Sequence, residues 1–594
     1  MRLCILAIIV NNTLLIRQIT IFYYDYCRVL VYITFLAIHY IRSHEMKENL
    51  TNEDYSLGNL EAWEQEERDN LPINFLSIKQ YSLIADSDNI FLCGRRGTGK
   101  SAIALMLEMK EPYKYKCSIP GESQNYGQYL RIVKQLSNRW DINENIDLRH
   151  TIRCLWQWVL PVLAMQVVLC KSKNLPKIFN EVKIIKAYFN TLPAPLYEKS
   201  TIGHLLGNIF QEANNILNKE GVVAFDTYLL NLTGTREFNS AIEATHNIVK
   251  DNKIFLVIDT IESYKIFDPF MTESFQGILD AITSLCGDSK VRFITLKLFI
   301  PAEMFEPIFE KYPGKVSSRA VFMRWRAQDL TSILARRFLN VLSRTEAVPS
   351  SDINKYNELI KNAYDRNDGR LLRKEFWYNT KFMPKYITNR MGNNEDSFAY
   401  MLRHTQRRPR DMIAMLQSII NVSREIKEFP FISEQSLYKG IHNKQLLSHI
   451  VAEALTPYEG KIPAKLMSGS RSIFYNRPTI MSGHELKKFS NELYSIAPLD
   501  TIDPADFLSI LVKCGIIGLI DESEKGYGKE IYIKAKFDYI HHETIAISDR
   551  LTYCLHPAVA DLFQMKPPEQ LMSAIYPYPD PLEDHWIEDE VGIL

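Results

Sequence analysis

Cysteine is sparse in this 594-residue sequence, with nine scattered residues and no two in a C-x-x-C pair, which excludes a disulfide framework and a zinc ribbon. Glycine and proline number only 24 and 26, too few for collagen-like or low-complexity chains. There is no surplus of charge either, since 70 basic residues face 70 acidic ones. No global field therefore draws the chain to nucleic acid or an anionic membrane, and any such contact has to come from a local patch. What is present is 46% hydrophobic and 24% charged residues, the profile of ordinary globular protein in about three or four domains with cores that need no covalent staples. Together with the scattered cysteines, this places the chain in a reducing, cytoplasmic setting. His541, His542, Cys554 and His556 are a loose grouping of possible ligands, with a spacing that fits none of the usual structural zinc patterns.

Residues 1–45 differ from the rest. They are rich in Ile, Leu, Tyr, Phe and Val, yet Val29–Ile41 spans only 13 residues, short of the roughly 18–20 that a spanning helix needs. No small-residue cleavage site follows, which argues against secretion. Two readings stay open: an over-extended start ahead of Met46, or a membrane anchor. Residues 46–85 begin acidic and polar and read as a solvated arm with an entry helix.

From residue 86 the pattern becomes α/β. Ile90–Cys93, Lys253–Ile258 and Val291–Phe299 read as buried strands, and Ala102–Met109 and Glu237–Val249 as helices. Apolar helical stretches at Leu155–Leu169 and Ile202–Ile216 make residues 120–250 a helical elaboration of the sheet. Leu330, Ile333, Leu334, Phe338, Val341 and Leu342 share one helical face, as do Met412, Ile413, Leu416, Ile419 and Ile420, so residues 325–425 read as a helical subdomain. In residues 426–594 a short helix at Asp506–Lys513 precedes Ile516–Ile520 and the alternating run Ile531–Phe537, an order that resembles a winged helix. The expected fold class is thus α/β: a core over 86–324 with a parallel sheet and helical insertions, a helical lid, and a winged-helix-like α+β domain.

One motif carries chemistry. Gly94-Arg95-Arg96-Gly97-Thr98-Gly99-Lys100-Ser101 satisfies G-x-x-x-x-G-K-[ST] between an apolar strand and a helix that opens at Ala102, the setting the motif requires. Glycines let the main chain curve so that successive N–H groups and the helix N-terminus face an anion. Lys100 would neutralise the β- and γ-phosphates of ATP, and the Ser101 hydroxyl would meet Mg²⁺. A glycine turn that merely joined strand to helix would not need Lys100 and Ser101 at those offsets. The strand Ile254-Phe255-Leu256-Val257-Ile258 ends in Asp259, a carboxylate suited to hold the water shell of Mg²⁺. Read alone, it is equally a strand followed by a capping Asp.

Taken together, FLCGRRGTGKSAIAL, IFLVIDTIESY, LKLFIPAEMFEPIF, VFMRWRAQDLTSILARRF and RRPRDMIAML resemble bacterial P-loop ATPases related to the AAA+/STAND group, over about residues 75–425. The resemblance implies an ATP-binding core, a nucleotide-sensing lid and a C-terminal winged helix like that of origin-recognition type AAA+ proteins. The commonest AAA+ pattern places Glu directly after the strand Asp; here Thr260 and Ile261 intervene, so Glu262 resembles the displaced acid of NACHT-type STAND proteins and is the expected general base. Lys297, near the end of the next strand, stands where such proteins place a γ-phosphate sensor. Arg319, Arg324, Arg326, Arg407, Arg408 and Arg410 are candidates to touch phosphate, with Arg408 chosen among them. Ordinary solvated or ion-paired roles compete with each of these assignments.

Two functions follow from different classes. One is a nucleotide-operated switch in signalling or defence, acting on a protein partner, with a homo-oligomer among the forms it could take. The other is a DNA-directed ATPase of the loader or transposition-helper kind, in which Lys529, Lys534 and Lys536 meet phosphates. A small-molecule kinase would leave the lid and the C-terminal region unexplained.

Overall fold

The computed structural model describes residues 53–577 except 59, 61, 63, 87, 120–125, 141–146, 173–178, 193–201, 251, 260–268, 305–316, 459–461, 463–470, 497–502, 521–531, 539–544 and 567–573. The apolar leader, Glu262, Lys529, His541 and His542 lie outside the described residues.

The first sheet consists of β1 (Phe91–Gly94), β2 (Tyr115–Ile119), β3 (Ile254–Asp259), β4 (Ile294–Pro301) and β5 (Ala320–Phe322), in the order β2-β3-β4-β1-β5. Every pairing in it is parallel. Parallel strands need crossovers that cover both faces, which is why their sequences are near-continuously apolar. The two-residue period divides β3 between two cores: Ile254, Leu256 and Ile258 face one, Phe255 and Val257 the other. The strands β2 and β5 escape a sequence reading because they are only five and three residues long and carry no clear alternation.

Helix α1 (Lys100–Lys110) covers one face of the sheet and buries Ile103, Leu105, Met106 and Leu107 there. Each such side chain contributes about 1.5–3 kcal/mol by leaving water. The opposite face carries the helical elaboration, whose centre is α2 (Leu148–Ser172) packed on α3 (Pro269–Gly287). A Cβ at Gly277 would lie 2.7 Å from the Arg149 carbonyl oxygen, so the small residue permits this close approach. Within α2, Leu148–Lys171 is long and apolar enough to cross a membrane, but 89% of its most apolar window is buried in the protein, as in a core helix.

The lid begins with α4 (Ala327–Arg344), whose first turn is closed by a reciprocal Arg326–Asp329 cap. It continues through the short ribbon β6 (Tyr386–Thr388) and β7 (Asn394–Asp396) to α5 (Ser397–Arg403) and α6 (Pro409–Glu425); α7 (Glu434–Ile441) and α8 (Lys444–Leu455) follow it and open the C-terminal region. Pro409 at the first position of α6 suits a helix start, where an N–H has no partner to lose. The lid and α1 share a single hydrophobic core. The part of the arm that is described is not solvated as its composition suggested. Leu57 and Glu67 are buried, and Arg337 of α4 binds the Glu67 carboxylate and the Leu57 carbonyl. A buried acid is tolerated there because a guanidinium satisfies it.

The C-terminal region is α+β. Its second sheet has the order β12-β10-β9-β11-β8, built from β8 (Ile480–Ser482), β9 (Ile517–Ile520), β10 (Tyr532–Lys536), β11 (Thr552–Leu555) and β12 (Ala574–Pro577). Helix α9 (Pro504–Lys513) precedes the antiparallel pair β9/β10, as expected, and α10 (Pro557–Leu562) follows β11. The pair is not an isolated hairpin: β10 also pairs with β12 and β9 with β11.

Candidate functional site

The site lies at the C-terminal edge of the parallel sheet, where β1 turns into α1. Gly97 and Gly99 have φ of +79° and +89°, a left-handed conformation that costs glycine nothing and L side chains about 1–2 kcal/mol. The loop binds itself: Thr98 Oγ1 donates to Arg95 O at 2.7 Å, and Lys100 Nζ donates to Gly94 O at 2.9 Å and Arg95 O at 3.2 Å. A nearly buried ammonium is thus held in the mouth of the loop by carbonyl oxygens.

On β3, Phe255, Val257 and Asp259 share a face by strand period, the face that α1 covers. That geometry brings Asp259 to the first turn of α1, where Ser101 Oγ donates to Asp259 Oδ2 at 2.6 Å. Ser101 and Asp259 are 158 residues apart in sequence. A hydroxyl beside a carboxylate that is only 3% exposed is a hard-oxygen pair of the kind that fits Mg²⁺ with most of its water shell kept.

Arg408 is also brought to the loop. It caps α6, its Nε and Nη2 hold Asp411, and its Nη1 donates to Arg96 O at 3.2 Å. The Arg410 main-chain N–H donates to Gly97 O at 3.4 Å, and a Cβ on Gly97 would sit 3.2 Å from Arg410 Cβ. The indole N–H of Trp325 donates to Thr98 O at 2.8 Å. Three other candidate arginines do not take this place: Arg319 and Arg324 are exposed, and Arg326 is committed to Asp329 and Asn367.

The C-terminal region reaches the same loop. Arg95 Nη2 pairs with Asp538 Oδ2 at 3.0 Å, and Glu453 Oε2 of α8 lies 3.3 Å from Arg96 Nε and 3.0 Å from Arg410 Nη1. Burial pulls the Arg95 guanidinium toward neutrality, but the field of Glu303, Tyr458, Asp538 and Cys514 outweighs it and raises its pKa above the ordinary value. Gln406 Nε2 donates to Cys514 O at 2.7 Å, and His556 Nε2 lies 3.2 Å from Thr405 O. His556 Nδ1 accepts from the Ala558 N–H and so caps α10, while burial, first of all, lowers its pKa to about 3. Neutral His556 satisfies both contacts, with Nε2 as the donor.

Lys297 does not join the site, which corrects the expectation of a γ-phosphate sensor. Its ammonium donates to the main-chain carbonyls of Asp86 and Asn89, ahead of β1 and thus at the opposite end of that strand from the loop. The register explains why: Lys297 lies opposite Val257, two residues short of Asp259. Burial lowers its pKa to about 8, with Asp86 the first of the acids that oppose the shift. Trp325 stood inside a quoted motif, and Arg410 in the run that opens α6, whereas nothing near Glu453 or Asp538 in sequence marks either as a partner of the loop.

No protein-family model and no curated protein matches the sequence. Among solved structures, the chain is similar to the ORC2 protein of Aeropyrum pernix in its ADPNP–ADP complexes, at 10% identity and a TM-score of 0.31, covering 86% of this chain and 98% of that one. It is likewise similar to the ORC1 protein of Aeropyrum pernix in complex with DNA, at 12% identity and a TM-score of 0.29, covering 86% and 96%. The chain's own strand order, loop and helix form a parallel α/β core with a glycine loop between β1 and α1 and with helical insertions.

Proposed function

We propose that the protein is an ATP-binding, Mg²⁺-dependent ATPase that works as a switch, with its C-terminal region sensing whether the loop holds phosphate. The observation that carries this reading is the convergence on one loop of Lys100, Ser101 with Asp259, the lid arginines Arg408 and Arg410, and the C-terminal carboxylates Glu453 and Asp538.

In this reading the loop amides and Lys100 bind the triphosphate, exchanging the carbonyl contacts of Lys100 for contacts with anionic phosphate oxygens. Mg²⁺, when bound, supplies charge neutralisation at the phosphate oxygens, and Ser101 and Asp259 are the residues that would hold it. Arg408 orients the start of α6 over the loop through Arg96 O. Triphosphate and the carboxylates of Glu453 and Asp538 are anions drawn to the same cluster of cations, so binding one weakens the other. That competition gives nucleotide a differential effect on how the C-terminal region sits, which a switch requires. Glu262, three residues after Asp259, is the proposed general base.

Calorimetry with ATP and Mg²⁺ tests the binding claim, and absence of heat from folded protein defeats it. Glu262→Gln should keep ATP binding and stop hydrolysis; full hydrolysis by that variant removes Glu262 from the role.

A further inference from the structure

Away from the loop, on the seam between the lid and the C-terminal region, two imidazoles and a carboxylate converge. His404 follows α5, His442 follows α7 and Asp561 belongs to α10; one ligand-capable atom from each lies within 4.8 Å of the others. His404 Nε2 is 2.7 Å and His442 Nδ1 is 3.2 Å from Asp561 Oδ2.

The outward-facing atoms of the cluster are engaged as well. His404 Nδ1 lies 2.6 Å from Tyr400 O, His442 Nε2 lies 2.6 Å from the Tyr400 hydroxyl, and Asp561 Oδ1 lies 3.2 Å from Arg390 Nη1. This is the outer arrangement that metal-binding histidines use, in which the second ring N–H is given to a carbonyl or another acceptor, so that tautomer and ring plane are fixed. His404 makes the point sharply. It is completely buried and has an acceptor at each nitrogen. An imidazole donates from both nitrogens only as a cation, whereas a metal on Nε2 leaves Nδ1–H to serve Tyr400 O in the neutral form. Arg403 is also near, over the Tyr400 ring, but Glu395 holds its guanidinium through two hydrogen bonds.

We infer that His404 Nε2, His442 Nδ1 and Asp561 Oδ2 form a binding site for a divalent metal ion of the zinc class, one that ties the lid to the C-terminal region. Two nitrogens and one oxygen suit such an ion, with a fourth position left for water. Bonds of about 2.0–2.2 Å place the ligand atoms of a tetrahedral site roughly 3.3 Å apart. The His442–Asp561 pair already meets that spacing, and the His404–Asp561 pair needs to open by about half an ångström. The site is separate from the nucleotide loop, yet only three residues lie between His404 and Arg408, so an ion here would brace the segment that touches Arg96 O.

The test uses the full chain, stripped with a chelator and then titrated with Co²⁺ and with Zn²⁺. We expect about one ion per chain by elemental analysis, a tetrahedral Co²⁺ visible spectrum, displacement by Zn²⁺ and a raised Tm with Zn²⁺ bound. His442→Gln and Asp561→Asn preserve shape at less buried positions, and circular dichroism checks their fold; each should weaken Co²⁺ binding at least about tenfold. Tyr400→Phe removes only the outer contact to His442 and should weaken binding by less. A wild-type chain that takes up no stoichiometric metal overturns the inference whatever the variants do, and so does affinity left unchanged in both folded ligand variants. The cluster would then be a proton-held His404–Asp561 pair. Because the readouts are metal content and spectra, a failure to bind ATP leaves this result intact.

Discussion

Two buried lysines lie at opposite ends of the same strand, and they look alike at first. Lys100 donates to the carbonyls of Gly94 and Arg95, at and just past the end of β1; Lys297 donates to those of Asp86 and Asn89 ahead of its start. The difference lies in what surrounds them. Around Lys100 a left-handed glycine loop and a helix N-terminus present amides, and Ser101 and Asp259 stand beside it. Lys297 has a chain segment folded over it and a pKa lowered by burial to about 8. Burial and carbonyl contacts do not make a phosphate site; oriented N–H groups with a neighbouring hard-oxygen pair do.

The comparison breaks most directly through the two lysines themselves. Lys100→Ala should reduce ATP affinity by about ten- to a hundredfold, since a charge-assisted contact in a desolvated site contributes about 1.5–3 kcal/mol and the loop loses its internal tether as well. Lys297→Met should leave ATP affinity within about threefold. Its cost should appear in denaturant unfolding as about 1–3 kcal/mol, because two carbonyls lose their donor. Calorimetry on both variants decides the matter, and equal loss of ATP binding would restore Lys297 to the site.

Asp259→Asn comes next. It keeps the shape and the hydrogen bond from Ser101 but removes the charge, so hydrolysis should fall at least about a hundredfold while Mg²⁺-free nucleotide binding changes little. Retained Mg²⁺-dependent turnover would reduce Asp259 to a cap on Ser101.

A smaller effect tests the C-terminal contacts. Glu453→Gln and Asp538→Asn free the loop arginines from competing carboxylates, and each should tighten ATP binding about two- to fivefold, an amount in keeping with one partly buried ion pair. Weaker binding would show that these acids position the arginines rather than compete for them.

The pH response of His556 is read in stability rather than in affinity. Its folded pKa of about 3 lies below the ordinary value of 6.5, so between those limits the unfolded chain binds the extra proton. The stability contributed by neutral His556 is therefore present above about pH 6.5 and is lost as pH falls toward 3, at up to about 1.4 kcal/mol per pH unit. His556→Gln should flatten that part of the stability profile in urea titrations at stepped pH.

The least effect is expected from Lys534→Ala and Lys536→Ala. Since the chain has no surplus of basic residues, 70 against 70 acidic ones, these changes should leave the salt dependence of any duplex-DNA binding nearly unchanged. A slope that flattens by about one per lysine would favour the DNA-directed reading instead.

How much of this was legible in the sequence differs from residue to residue. The loop, α1, β3, α4 and α6 could be read because local rules govern them: glycine at positive φ, apolar periodicity and a strand ending in an acid. Arg408 was legible only through family resemblance, and Lys297 misled because a strand's sequence does not disclose its register. The folded arm was missed because a polar composition hid the pairing of Glu67 with Arg337, 270 residues away.

Sequence alone determined the glycine cradle, since the loop residues are contiguous and their spacing dictates a curved backbone followed by a helix. The tertiary structure alone decided which distant groups meet that cradle: Asp259 through strand register, Glu453 and Asp538 through the packing of the C-terminal region, and the His404, His442 and Asp561 cluster through the seam beside it. The physical reason is range. Backbone conformation and periodicity act over a few residues, whereas the pairing of charges across hundreds of residues is set by how buried apolar faces fit together.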